Sequence, residues 1–191
     1  MFLESKISYL DKNGSIEVIC GSMFSGKTEE LIKRIKRLII AKKKIAIFKP
    51  KIDKRYAKNK IVSHNKKSIS AIEIKNSNEI LNIVSNEDVV AIDEVQFFNT
   101  DLIKICIDLA NSGKRVIVCG LDMDFLGKPF GIMPELLSIS DHISKMHAIC
   151  TNCRNIANFS FRKSNEKQLL KIGEKQDYQP LCRSCFYNKI V

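Results

Sequence analysis

Gly21-Ser22-Met23-Phe24-Ser25-Gly26-Lys27-Thr28 decides how the rest of this chain is read, because it fills every fixed position of the phosphate-cradling pattern G-x-x-x-x-G-K-[ST]. The pattern is informative only between a strand and a helix, and both flanks comply. Ile16-Glu17-Val18-Ile19-Cys20 is an apolar run of strand length, and Glu29-Glu30-Leu31-Ile32-Lys33-Arg34-Ile35 has the spacing of an amphipathic helix. Backbone N–H groups of such a loop, together with the positive end of the helix, can wrap a β-phosphate. In this reading Gly21, Ser22, Met23, Phe24, Ser25 and Gly26 form the cradle. Lys27 reaches the β- and γ-oxygens, and the Thr28 hydroxyl ligates Mg²⁺. A nucleoside triphosphate is the expected ligand.

Outward from the loop, strand and helix signals alternate. Lys44-Ile45-Ala46-Ile47-Phe48 reads as a second strand stopped by Pro50, and Ser68-Ile69-Ser70-Ala71-Ile72-Glu73-Ile74 alternates with period two as a third. Residues 78–84 form a short helix candidate. Asp88-Val89-Val90-Ala91-Ile92 is the continuous apolar run of a strand covered on both faces. Residues 101–111 have helical periodicity, with Asn99-Thr100 as cap and Ser112-Gly113 as stop. Arg115-Val116-Ile117-Val118-Cys119-Gly120 is another buried strand. This order predicts an α/β fold of the P-loop type: a mostly parallel sheet with flanking helices. At residue 150 the chain turns polar, and residues 150–191 hold four of the seven cysteines. The expected organisation is a P-loop ATP-binding domain over 1–149 and a small zinc-binding lobe over 150–191.

Two constellations carry further chemistry. Asp93-Glu94 follows the buried strand, where a P-loop enzyme keeps its second acidic element. Asp93 suits Mg²⁺, directly or through water, opposite Thr28. Glu94, one position further out, can take a proton from an attacking hydroxyl or water. Cys150-x-x-Cys153 and Cys182-x-x-Cys185 stand 28 residues apart and supply four thiolates for a tetrahedral structural Zn²⁺. Redox chemistry is the minor alternative, since it needs only one pair. Cys20, Cys106 and Cys119 sit in apolar contexts as small core residues. His64, His142 and His147 are dispersed and form no ligand pair. Met23 and Phe24, with Phe97-Phe98 after Glu94, either plug the sheet edge or line a base pocket beside the chemistry.

Bulk properties narrow the class. A chain of 191 residues holds one full core and a small appendage, and no apolar run approaches the ~20 residues of a membrane span. Met1-Phe2-Leu3-Glu4-Ser5-Lys6 lacks the order of a secretory signal, so the expected location is cytoplasmic. The net charge of +11 invites a nucleic-acid reading, but the lysines are spread along the whole chain, and attraction of anionic substrates explains the charge equally well.

These pieces together resemble the thymidine kinases of the zinc-containing, two-domain type. The resemblance runs from Glu17 to Cys185. It rests on Met23 to Thr28, Asp53-Lys54-Arg55-Tyr56, Ser63-His64, Ile92-Asp93-Glu94-Val95-Gln96-Phe97-Phe98, Gly120-Leu121-Asp122, Phe125, Lys128-Pro129-Phe130-Gly131, both cysteine pairs, and Ile172-Gly173 before Tyr178. It implies ATP-dependent phosphorylation of the 5′-hydroxyl of thymidine and deoxyuridine in nucleoside salvage, with Glu94 as catalytic base. It further implies that Asp53, Arg55 and Gln96 join Lys27, Thr28 and Asp93 around ATP and Mg²⁺. Met23, Phe97, Leu121, Phe125 and Phe130 would enclose thymine. A lasso loop over residues 162–178 would close on the base, with Ser160, Leu169, Lys171, Ile172 and Tyr178 at contact positions. Glu174 after Gly173 departs from the family's glycine pair. A homotetramer is implied by the resemblance alone. The rival is a P-loop nucleic-acid-dependent ATPase with a zinc ribbon, which ordinarily needs a second ATP-clasping domain for which this length leaves no room. A non-catalytic zinc-ribbon module leaves the loop and the acidic pair unexplained. The expected partners are thus small-molecule substrates, with no membrane and no obligatory nucleic acid.

Overall fold

The computed structural model describes residues 14–53, 59–62, 68–164 and 177–190. In chain order the elements are β1 (Ser15–Gly21), α1 (Lys27–Ile40), β2 (Ile45–Pro50), β3 (Lys60–Val62), β4 (Ser68–Ser70), β5 (Ile72–Ile74), α2 (Glu79–Ile83) and β6 (Val89–Ile92). A 3₁₀ turn at Val95–Phe97 leads to α3 (Asp101–Asn111), β7 (Arg115–Gly120), α4 (Met133–Ile139) and β8 (His142–Met146). The remainder is β9 (Ala148–Ile149), β10 (Ile156–Ala157), β11 (Phe159–Arg162), β12 (Tyr178–Leu181) and α5 (Arg183–Ile190).

A six-stranded sheet in the order β5-β2-β6-β7-β1-β8 forms the centre, and every pairing in it is parallel. Because parallel strands require crossover helices, both faces are covered and the strands read as unbroken apolar runs. One face receives Ile16, Val18 and Cys20 of β1 against Leu102, Ile105 and Leu109 of α3 and Leu136 of α4. The other receives Ile19, Ala91, Ile117 and Cys119 against Leu31, Ile32, Ile35 and Leu38, the apolar stripe of α1. Glu29 and Glu30 complement the positive start of α1. The P-loop and the segments after β6 and β7 all leave the same, C-terminal edge of the sheet. Among the described residues no helix is long and apolar enough to cross a membrane.

The third expected strand is a correction. Residues 68–74 are two strands in different sheets: β4 pairs antiparallel with β3, and β5 pairs parallel with β2. The change occurs at Ala71, small and buried, whose N–H donates to the Asn59 carbonyl. Alternation reports which side chains share a face but not which strand lies alongside. The sequence reading gave no element at β3, α4 or β8, nor any within the lobe. Pro134 at the start of α4 is a helix-start signal, whereas β8 is an edge strand with mostly exposed side chains.

A second, smaller core is built from Ala148, Ala157, Phe159, Leu181, Phe186 and two of the cysteines. The rings of Phe159 and Phe186 stack at 4.4 Å. Gly127 (φ +74) lies against both, because a Cβ there would sit 3.1 Å from Phe186 and 3.2 Å from Phe159. The segment after β7 thereby packs onto this lobe.

Candidate active site

The loop after β1 passes through left-handed backbone at Phe24 (φ 64) and Gly26 (φ 86), the kind of turn from which anion-binding concavities are built. Gly21 is constrained differently: a Cβ there would fall 2.1 Å from the Met146 carbonyl oxygen. Lys27 is buried, and its Nζ donates to the Ser22 carbonyl at 2.7 Å, across the mouth of the loop. The Ser25 hydroxyl is buried and has no hydrogen-bond partner among the described residues. An orphan hydroxyl and an ammonium resting on a loop carbonyl, in a loop with left-handed turns, fit a polyphosphate. Thr28 is half-buried at the first turn of α1.

Asp93 is buried at the end of β6. Its N–H donates to the Phe48 carbonyl at 2.9 Å, and its Oδ1 accepts the Glu94 N–H at 3.0 Å. Glu94 is buried and left-handed (φ 53), a conformation that costs a non-glycine residue and persists only where neighbours hold it. Gln96 is one such neighbour. Its Nε2 donates to Glu94 Oε2 at 2.5 Å, while its Oε1 accepts the Leu121 N–H at 3.0 Å. Gln96, grouped with the phosphate residues in the sequence reading, thus has both ends of its amide engaged on protein groups. The thiol of Cys119 reports how close these charges lie. Burial first, then the Asp93 carboxylate, holds it well above the ordinary cysteine value, with Lys27 opposing and Glu94 adding. Cys20 is likewise raised to about 11, by burial and then by Asp122, and burial takes Cys106 to about 12. All three are protonated core residues, as expected.

Asp53 is buried on a turn in which its N–H donates to the Pro50 carbonyl at 3.0 Å. Beneath it lies Lys49, fully buried, whose Nζ is 3.4 Å from the Asp53 carbonyl and 3.3 Å from the Glu73 carboxylate.

The apolar and lobe residues form a chain of contacts. Phe97 meets Phe130 edge to face at 6.0 Å. The Met23 N–H donates to the Ser160 hydroxyl at 2.9 Å, and Ser22 Oγ donates to the Ala157 carbonyl at 3.4 Å, so the P-loop is tied directly to the lobe. Arg162 is buried with its guanidinium 3.7 Å above the Phe125 ring, and its Nε and Nη2 donate to the Tyr178 hydroxyl at 3.0 and 2.8 Å. Sequence reading assigned Arg162 no role beyond the start of the lasso. The signal was the alternation in Phe159-Ser160-Phe161-Arg162, which puts Arg162 on the face of Ser160. Arg55, Leu169, Lys171, Ile172, His64 and most of the expected lasso lie outside the described residues.

Cys150, Cys153, Cys182 and Cys185 converge with all four sulfurs within 4.8 Å of one another. Cys150 follows β9, Cys182 follows β12, and Cys185 sits in the first turn of α5. Zn–S bonds of about 2.3 Å in a tetrahedron place sulfurs about 3.8 Å apart, and this cluster needs little adjustment to reach that. Burial works against a thiolate at Cys150, but N–H groups of Cys153, Cys182 and Asn152 aimed at its sulfur prevail and bring the thiol down to about 6. At Cys185 the Asn152 amide favours the thiolate, yet desolvation and the other three sulfurs outweigh it and hold the thiol at about 11. Four sulfurs this close together could hold one cation.

A family model described as thymidine kinase matches residues 14–186. The chain is 54% identical over 187 residues to a thymidine kinase of Bacteroides thetaiotaomicron, a match covering 97% of this chain and 94% of that protein. It is 50% identical to a thymidine kinase of Porphyromonas gingivalis, over 92% of this chain and 86% of that protein. A thymidine kinase of Rhodothermus is 45% identical, over 91% and 81%.

Proposed function

The chain belongs to the thymidine kinase family, and from that premise we propose how its residues divide the work of phosphorylating thymidine in nucleotide salvage. Glu94 is the general base: it accepts the proton of the thymidine 5′-hydroxyl as that oxygen attacks the γ-phosphorus of ATP. The P-loop N–H groups and the Ser25 hydroxyl bind phosphate oxygens, and Lys27 leaves the Ser22 carbonyl for the β- and γ-oxygens. Thr28 and Asp93 would hold Mg²⁺, which would supply charge neutralisation on the phosphates. Asp53 and Arg55 assist on the phosphate side.

Met23, Phe97, Leu121, Phe125 and Phe130 enclose the base, with Ser160, Tyr178 and the loop residues Leu169, Lys171 and Ile172 closing over it. Main-chain reading of the pyrimidine edge admits thymidine and deoxyuridine. It rejects cytosine, because a buried amide facing the wrong partner costs about 1–3 kcal/mol. Cys150, Cys153, Cys182 and Cys185 would hold a Zn²⁺ whose contribution would be structural, stapling the lobe. Residues 1–149 form the ATP-binding domain, and residues 150–191 form the zinc lobe whose loop closes over the substrate. The enzyme works as a cytoplasmic homotetramer.

One observation carries this reading. A buried carboxylate, held in left-handed backbone at the end of β6, leaves the same sheet edge as a loop already shaped for phosphate. No observation favours a nucleic-acid-dependent ATPase. Glu94→Gln tests the assignment: the variant folds and binds ATP but phosphorylates thymidine about 10²–10⁴-fold more slowly. Wild-type turnover in a radiolabelled-ATP assay would remove Glu94 from the role.

A further inference from the structure

Gln96 is only 4% exposed, and its surroundings are built to its shape. A Cβ at Gly120 would fall 2.6 Å from its Oε1, and a Cβ at Gly131 would fall 2.5 Å from its carbonyl oxygen. Two glycines from different segments therefore clear the space that this one residue fills. The direction of the amide is dictated chemically. The Leu121 N–H can only donate, so Oε1 must face it, and Nε2 must then point as a donor at Glu94. A hydrogen bond to one oxygen stops the carboxylate from rotating about its last torsion, which is otherwise broad and weakly restrained. The same amide connects the end of β6 to the first residue after β7.

We propose that Gln96 is the positioning residue of this kinase: it fixes the plane of the Glu94 carboxylate and ties it to the Leu121 backbone, rather than binding ATP. This rests on the reading of Glu94 as the base. The consequence is a division of labour within Asp93-Glu94-Val95-Gln96, whose first acidic residue serves the metal and whose amide serves the base. Positioning of this kind contributes to turnover and not to nucleotide affinity, since a misplaced base still leaves the phosphate cradle intact.

The test is a steady-state comparison of Gln96→Ala, Gln96→Glu and Glu94→Gln with the double variant Glu94→Gln/Gln96→Ala. Gln96→Ala should lower kcat about 10–10²-fold, the scale of a displaced catalytic group, while the KM for ATP stays near that of the parent enzyme. Gln96→Glu keeps the volume and an acceptor for the Leu121 N–H but removes the donor. It should lose at least as much kcat as Gln96→Ala and melt below the parent temperature, because it buries a second carboxylate against Glu94. The double variant should be no slower than Glu94→Gln alone, because there is no longer a base to position. A raised KM for ATP with kcat retained, parent turnover in Gln96→Glu, or full multiplication of the two single losses would each overturn the proposal. If Glu94→Gln turned over like the parent enzyme, the base reading itself would fall and this proposal with it. A normal Glu94→Gln loss beside an intact Gln96→Ala would remove only the positioning role.

Discussion

The six-stranded sheet and the cysteine lobe both present residues to one site, yet they hold those residues by different means. In the sheet, β6 is buried along its whole length, and two large apolar clusters sandwich it between α1 on one face and α3 with α4 on the other. In the lobe, strands of two to four residues surround a single small cluster that counts two of the four converging cysteines among its buried members. Apolar burial scales with area, so the sheet stands on its own packing while a core of that smaller size needs a staple. The P-loop and the acidic pair rest on the larger cores, and Ser160, Arg162 and Tyr178 rest beside the small one.

The sharpest way to break this contrast is to remove the staple. Chelation of zinc, or Cys182→Ser, should abolish thymidine binding while ATP binding survives, as read by equilibrium binding of each ligand. Parallel loss of both would show that the sheet depends on the lobe after all.

A smaller effect is expected within the sheet. Glu17 is buried in β1 and accepts from Arg34 of α1 at 2.8 Å and from Arg115 of β7 at 2.5 and 3.1 Å. Arg34 also reaches Glu30 at 3.0 Å and Ser144 of β8 at 2.7 Å. Glu17→Met should leave two guanidinium groups facing each other and cost about 3 kcal/mol or more in denaturant titration. The KM for thymidine should not change. A cost near zero would mean that this network is solvated and that packing alone holds α1.

The smallest effect falls on the seam. Ser160→Ala removes the acceptor of the Met23 N–H and should cost about 1–3 kcal/mol, seen as a higher KM for thymidine with less change for ATP. Equal changes for both ligands would erase the distinction between the two regions at the point where they touch.

Legibility in the sequence followed the range of the interaction. The P-loop was readable because its glycines, lysine and threonine act within eight consecutive positions and announce themselves by spacing. The cysteine pairs were readable because a tetrahedral ion needs four sulfurs and little else. Ser68 to Ile74 misled because alternation is the same whether a strand keeps its partner or changes it at Ala71. Edge strand β8 escaped because one covered residue, Ser144, carries no apolar signature. Gln96 was legible as part of Asp93-Glu94-Val95-Gln96, but nothing near it in the chain announces its contact with Leu121, 25 residues on.

Local chemistry was enough to declare a phosphate loop, an acidic pair behind a buried strand, four sulfurs and an alternation of strands with helices, because each is a pattern of neighbours along the chain. Folding alone settled which groups those patterns would meet. It set β7 between β6 and β1, laid Gln96 across to Leu121, and brought Ser160 to Met23 across 137 residues. Such contacts follow from how two covered faces and one small lobe pack in space, and packing depends on shape and register that a linear order of residue types does not contain.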